Sequence, residues 1–175
     1  MPIVQNLEKP LFESHFDDEL PIGIQNGLKI FPEYVIKNYW CDRKVFRSNI
    51  FLHNAVKKEL KMHVGYNMSG YIDDMIAFPE DSATVGKAFS CKRPVLADFA
   101  VTTHEERGVD PSLIWPDLRS ILAVPILDNN NISLGTLCID SDQKYTDAGF
   151  DDMRINNLLI LLSRGIGRLL EGYST

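Results

Sequence analysis

Residues 120–127, Ser-Ile-Leu-Ala-Val-Pro-Ile-Leu, form an almost unbroken apolar run, and the chain returns over Ile132–Asp140 after Asp128-Asn129-Asn130-Asn131. Asn and Asp tolerate left-handed backbone and bond locally, so the four polar residues read as a turn and the pair as a β-hairpin. Ile121 and Ala123 fall on one face of the first strand, and Leu122, Val124 and Ile126 on the other. An antiparallel strand with one wet face alternates apolar with polar. This one does not, which places it in mid-sheet with both faces covered, by helices.

The other strands are more ordinary. Val45–His53 is predicted as a strand, joined by a hairpin across Asn54–Lys57 to Lys58–Ser69. There Leu60, Met62, Val64, Tyr66 and Met68 alternate with Glu59, Lys61, His63, Gly65 and Asn67, a period of two that predicts all five apolar side chains on one face. Met75–Phe78 is a short apolar piece stopped by Pro79. Ser82–Cys91 reads as a helix, with Ser82 as N-cap and Val85, Ala88 and Phe89 on one face. Pro94–Asp98 is the next strand, and 99–119 is irregular, broken by Gly108, Pro111 and Pro116.

At the start of the chain, residues 1–21 are acidic and punctuated by Pro2, Pro10 and Pro21, an N-terminal arm ahead of a domain over 22–175. Phe31–Trp40 reads as a helix with Pro32 in its first turn. A closing helix is predicted from about Thr146 to Glu171. Ile155, Leu159, Leu162, Ile166 and Leu169 step as a heptad seam, and Leu158, Ile160, Leu161 and Leu170 widen the apolar girth. Such a helix is buried on two sides. One side meets the sheet. For the other the sequence offers a second copy of the chain, giving a homodimer through 146–171, or an N-terminal segment of the same chain. The pair Gly165 and Gly167 is expected to allow close packing of this helix.

The run 120–127, a short turn, Leu134-Gly-Thr-Leu-Cys-Ile-Asp140 and an amphipathic closing helix resemble the C-terminal half of a GAF domain. Val85-Gly-Lys-Ala-Phe89 and Arg93-Pro-Val-Leu-Ala-Asp98 resemble that family's central helix and following strand. The resemblance extends over Tyr34 to Leu170. It implies an α+β, GAF-like (PAS-related) fold: a central antiparallel sheet of five or six strands with helices on both faces. It further implies a non-enzymatic sensory or regulatory module that binds a small molecule. The irregular 99–119 segment is where such proteins wall a ligand, so Phe99, His104, Arg107, Trp115 and Arg119 are the candidate ligand-binding residues. Their aromatic rings would stack on or desolvate a ligand, and an Arg would pair with a carboxylate or phosphate. The alternative for each is a core aromatic or a solvated charge.

Other chemistries fit less well. Some GAF-like proteins reduce free methionine sulfoxide with one cysteine before the central glycine of the middle helix and another in the long loop. Here Val85 precedes Gly86, 99–119 contains no cysteine, and Cys91 comes after the expected position. Bilin-binding relatives have a cysteine often followed by His, whereas Cys41 and Cys91 are followed by Asp42 and Lys92. The cyclic-nucleotide signature is incomplete, with Asn131-Ile132 and Phe150-Asp151-Asp152 in its place. The sequence names no cofactor. His15, His53, His63 and His104 lack ligand spacing, so no metal is expected, although His53 and His63 can approach across their hairpin. A third reading is a ligand-free protein-interaction module.

A net charge of −6 argues against a nucleic-acid surface, and no run has the length of a membrane span. Three irregularly spaced cysteines and the absence of a leader pattern point to a cytoplasmic protein with reduced thiols. No output domain is visible past the last helix. The signal is expected to pass to a separate signalling protein, or the chain is part of a longer regulator.

Overall fold

The computed structural model describes residues 24, 27–28, 46–67, 76–98 and 115–173. The run from Ser120 takes the mid-sheet place its two apolar faces require. Strands β1 (Phe46–Asn54), β2 (Glu59–Tyr66), β3 (Ala77–Pro79), β4 (Val95–Asp98), β5 (Ser120–Leu127) and β6 (Ser133–Ser141) form one sheet in the order β3-β2-β1-β6-β5-β4. Every pairing is antiparallel. Helix α1 (Ala83–Cys91) lies on one face, and a short α2 (Tyr145–Ala148) leads into the long α3 (Met153–Tyr173) on the other. The expected arm, the expected helix over 31–40, Cys41 and most of the 99–119 segment lie outside the described residues.

The two faces carry separate cores. Leu122, Val124 and Ile126 join Phe46, Ile50, Leu137 and Ile139 under Ile155, Leu159 and Ile166 of α3. Ala123 and Cys138 join Phe51, Leu60 and Met62 under Val85 and Ala88 of α1, with Ile121 packed alongside. The split of β5 into two apolar faces is as its sequence predicts.

Strand β2 departs from its pattern. Ile50 pairs with Val64, yet Phe51 pairs with Met62, so His63 is an extra residue on β2. This β-bulge reverses the phase of the strand. Leu60 and Met62 consequently face α1, whereas Val64 and Tyr66 pack on the α3 side. The four apolar residues described therefore do not share one face, and Met68 lies outside the described residues. Nor do His53 and His63 meet, since His53 pairs with Leu60 and bonds to Glu80 at 2.8 Å.

Two further corrections concern the helices. Ser82 occupies the N-cap position of α1 but makes no capping hydrogen bond, and its buried Oγ has no partner among the described residues. The predicted closing helix is interrupted. Gly149 adopts a left-handed backbone, φ 76°, and ends α2 while Phe150 N–H donates to Tyr145 O at 2.9 Å. The turn buries Phe150 against Phe46, ring centroids 6.2 Å apart. Asp152 then opens α3, its Oδ1 accepting the Arg154 N–H at 2.7 Å and its carbonyl accepting Asn156 N–H at 3.2 Å.

Of the predicted seam on α3, Ile155, Leu159 and Ile166 are fully buried, Leu162 is half-buried and Leu169 is exposed. The flank at Leu162 is covered from within the chain. A Cβ on helical Gly27 would stand 3.0 Å from Leu162 Cδ1, and Ile24 and Leu28 belong to the same core. Leu158, Leu161 and Leu169 remain as an exposed apolar stripe. The two late glycines differ. At Gly167 an added Cβ would collide with the Leu127 carbonyl, so α3 rests directly on the end of β5, whereas Gly165 faces open space.

Candidate functional site

Strand alternation puts Arg47 and Asn49 on the same face as Phe51, and Asp140 on the same face as Cys138, which is the face roofed by α1. The β1–β6 register sets Arg47 directly opposite Asp140. Arg47 Nη2 donates to Asp140 Oδ2 at 3.0 Å, and Asn49 Nδ2 donates to the same oxygen at 3.2 Å. Trp115, half-buried just before β5, lies over the Arg47 guanidinium, 4.7 Å from its carbon to the ring centroid. That is cation–π distance. A polar cluster under an indole thus adjoins the apolar residues Phe51, Met62, Ala123, Cys138 and Ile121 on this face.

The cluster is incomplete. Arg47 Nε, a donor, and Asp140 Oδ1, an acceptor, are both buried and have no hydrogen-bond partner among the described residues. Buried polar atoms are nearly always satisfied, because each one left unpaired loses its full hydration. The electrostatics carry the same tension. Burial pushes the Asp140 carboxyl above its ordinary range, against the opposing pull of the Arg47 charge and the hydrogen bonds from Arg47 and Asn49. Two residues earlier, burial and then the Asp140 charge push the Cys138 thiol well above its usual value. A thiol held protonated is a poor nucleophile and packs as a small hydrophobe.

Of the five residues expected to line a site, Trp115 is the one found in this cluster. Arg119 is exposed, with its backbone N–H donating to Ser141 O at 2.8 Å. Phe99, His104 and Arg107 lie outside the described residues. Arg47, Asn49 and Asp140 were not among the expected residues, since a lone Arg, Asn or Asp on a strand reads as ordinary alternation. Cys91 is exposed at the end of α1, with Sγ 3.8 Å from Arg93 O. Among the described residues there is no group of His, Cys, Asp and Glu able to hold a metal. No helix there is long and apolar enough to cross a membrane.

No family model matches the chain, and no curated protein matches it. Solved structures do. The GAF domain of an Acinetobacter phosphoenolpyruvate-protein phosphotransferase superposes with a TM-score of 0.66 at 11% identity, over 90% of this chain and 93% of that one. The equivalent domain from Coxiella burnetii gives 0.60 at 15% identity, over 73% of each chain. The free methionine-R-sulfoxide reductase of Neisseria meningitidis, solved with its substrate, gives 0.62 at 18% identity, over 87% and 80%. Six antiparallel strands in this order, helices on both faces and these superpositions over most of the chain lead to one conclusion: the protein has the fold of a GAF domain.

Proposed function

We propose that this protein is a non-enzymatic sensory domain that binds a small molecule on the α1 face of its sheet and signals through α3. The observation that carries this is the pair of buried, unpartnered atoms, Arg47 Nε and Asp140 Oδ1. A ligand presenting an acceptor to the first and a donor to the second satisfies both. An amide, a ureido group or a heterocycle edge has that arrangement. Trp115 offers an aromatic surface beside them, and Phe99, His104, Arg107 and Arg119 remain candidates for the rest of the wall. A metal or bound cofactor is not part of the reading. Binding changes output only if the ligand favours one of two arrangements of the domain. The exposed stripe Leu158, Leu161 and Leu169 is the surface proposed to carry that change to a second copy or to a separate signalling protein.

The similarity to a sulfoxide reductase supplies a rival. Its cysteine pattern is missing here: Val85 stands before Gly86, and Cys138 is a buried thiol. Thiol-dependent turnover of free methionine sulfoxide would establish that rival and overturn the sensory reading.

Native mass spectrometry tests the proposal directly. The expected result is a dimer carrying an added small mass that is lost on denaturation and absent from Asp140→Ala. A protein without added mass, whatever metabolite mixture it is exposed to, would leave only an interaction module. Leu161→Glu is expected to convert dimer to monomer with an unchanged circular dichroism spectrum, because this side chain is exposed. A dimer that survives the substitution moves the interface off this stripe.

A further inference from the structure

On the opposite side of the sheet from the polar cluster, the β5–β6 turn and α3 border a half-open surface cavity. It has a volume of about 180 Å³ and is lined by Leu127, Asp128, Asn129, Asn131, Arg164 and Arg168. That is roughly six times the ~30 Å³ share of one water molecule in the liquid. Its construction follows from Gly167. With no side chain there, the backbone of α3 closes onto the Leu127 carbonyl, and Arg164 and Arg168, one turn apart, flank the contact on the same side of the helix.

The charges around this cavity are unevenly matched. Asp128 Oδ1 accepts two backbone N–H groups of its own turn, from Asn130 at 2.8 Å and Ile132 at 2.6 Å. Glu171 is held by Asn129, whose backbone N–H donates to Oε1 at 2.9 Å and whose side-chain amide donates to Oε2. Lys92 Nζ donates to the Asn131 carbonyl at 2.8 Å rather than to a carboxylate. Among the described residues, Arg164 and Arg168 have neither an ion pair nor a hydrogen bond. The carboxylates are therefore engaged by amides while two guanidinium groups converge on the cavity with nothing to bind. Its lining holds two cations to one anion.

We propose that this cavity is an anion site that takes a phosphate group, held by Arg164 and Arg168 together. Guanidinium groups bind tetrahedral oxyanions through paired, charge-assisted hydrogen bonds, which suits two of them on successive turns better than lysines would. The site is independent of the ligand on the α1 face, so either can fail without the other.

Titration of the full chain with inorganic phosphate, followed by NMR against chloride at matched ionic strength, tests it. The expected result is saturable shifts confined to the amides of 127–131 and the turn of α3 around Arg164 and Arg168. Arg164→Gln and Arg168→Gln should each weaken binding by about tenfold, the loss of charge-assisted hydrogen bonds to the anion. Both side chains are exposed, so both variants should keep the wild-type spectrum elsewhere. A parallel titration with methyl phosphate separates the sources. Tighter binding than inorganic phosphate identifies a phosphoester, and weaker binding identifies the free ion. Shifts no larger than the chloride control, or an affinity unchanged in both variants, overturn the proposal.

Discussion

Replacing Arg47 with Met is expected to lower folding stability at neutral pH by about 3–5 kcal/mol, the usual consequence of removing one partner of a buried ion pair. The larger part of that loss comes from the charge left behind. Asp140 is 3% exposed, and its carboxyl already sits above the ordinary value of 3.8 with Arg47 present. The Arg47 charge and hydrogen bond, ahead of the hydrogen bond from Asn49, pull it down, so the substitution raises it further. A carboxyl whose value is higher folded than unfolded binds more protons in the folded state. Stability then falls as pH rises from the unfolded value through the folded one. The Arg47→Met deficit should therefore be largest at neutral pH and shrink as pH drops and Asp140 is discharged. Urea unfolding at about pH 7 and about pH 5 reads this out. An equal deficit at both would assign the loss to Trp115, which would have lost the guanidinium it covers, and not to Asp140.

Leu159→Ala is expected to cost about 2–5 kcal/mol, because Leu159 is fully buried in the core that α3 forms with the sheet and its removal leaves a cavity. Leu161→Ala, two positions along the same helix and 65% exposed in the monomer, should change stability by no more than about 0.5 kcal/mol at protein concentrations low enough to dissociate a dimer. The same chemical change is made in the same helix, so intrinsic helix preference cancels and only burial differs. Midpoints of urea unfolding on both variants measure the contrast. Comparable losses at the two positions would mean that Leu161 is covered in solution, as an interface through α3 requires. The measurement should therefore be made at several protein concentrations.

The hairpin of β5 and β6 was legible because its signal is redundant: both faces of β5 are apolar, so no choice of register could expose either. Strand β2 was legible in existence and wrong in orientation. A bulge adds one residue without altering the alternation on either side of it, and His63 looks like any other polar position. The break before α3 had its signs in view, with Gly149 and then Asp151-Asp152, a helix stop followed by a helix start. The continuous apolar spacing beyond them outweighed those signs. The polar cluster was not legible at all. Arg47 and Asp140 are 93 residues apart, and only the pairing of β1 with β6 makes them neighbours. Trp115 was picked out because an aromatic residue in an irregular segment is conspicuous by itself.

That same pairing has a bearing on synthesis. The two strands at the centre of the sheet are the first and the last of its six in sequence, so β1 emerges from the ribosome long before the strand that will cover its inner edge. At ~5–20 residues per second, the 93 residues between Arg47 and Asp140 take about 5–19 s to make. Throughout that interval β1 and β2 can pair while the other edge of β1 stays open, a template for pairing with any neighbouring nascent chain. The finished domain hides this edge in its interior. Its exposure to misassembly is therefore a matter of translation speed and chaperone access, and a slow codon run placed between β1 and β6 would lengthen it.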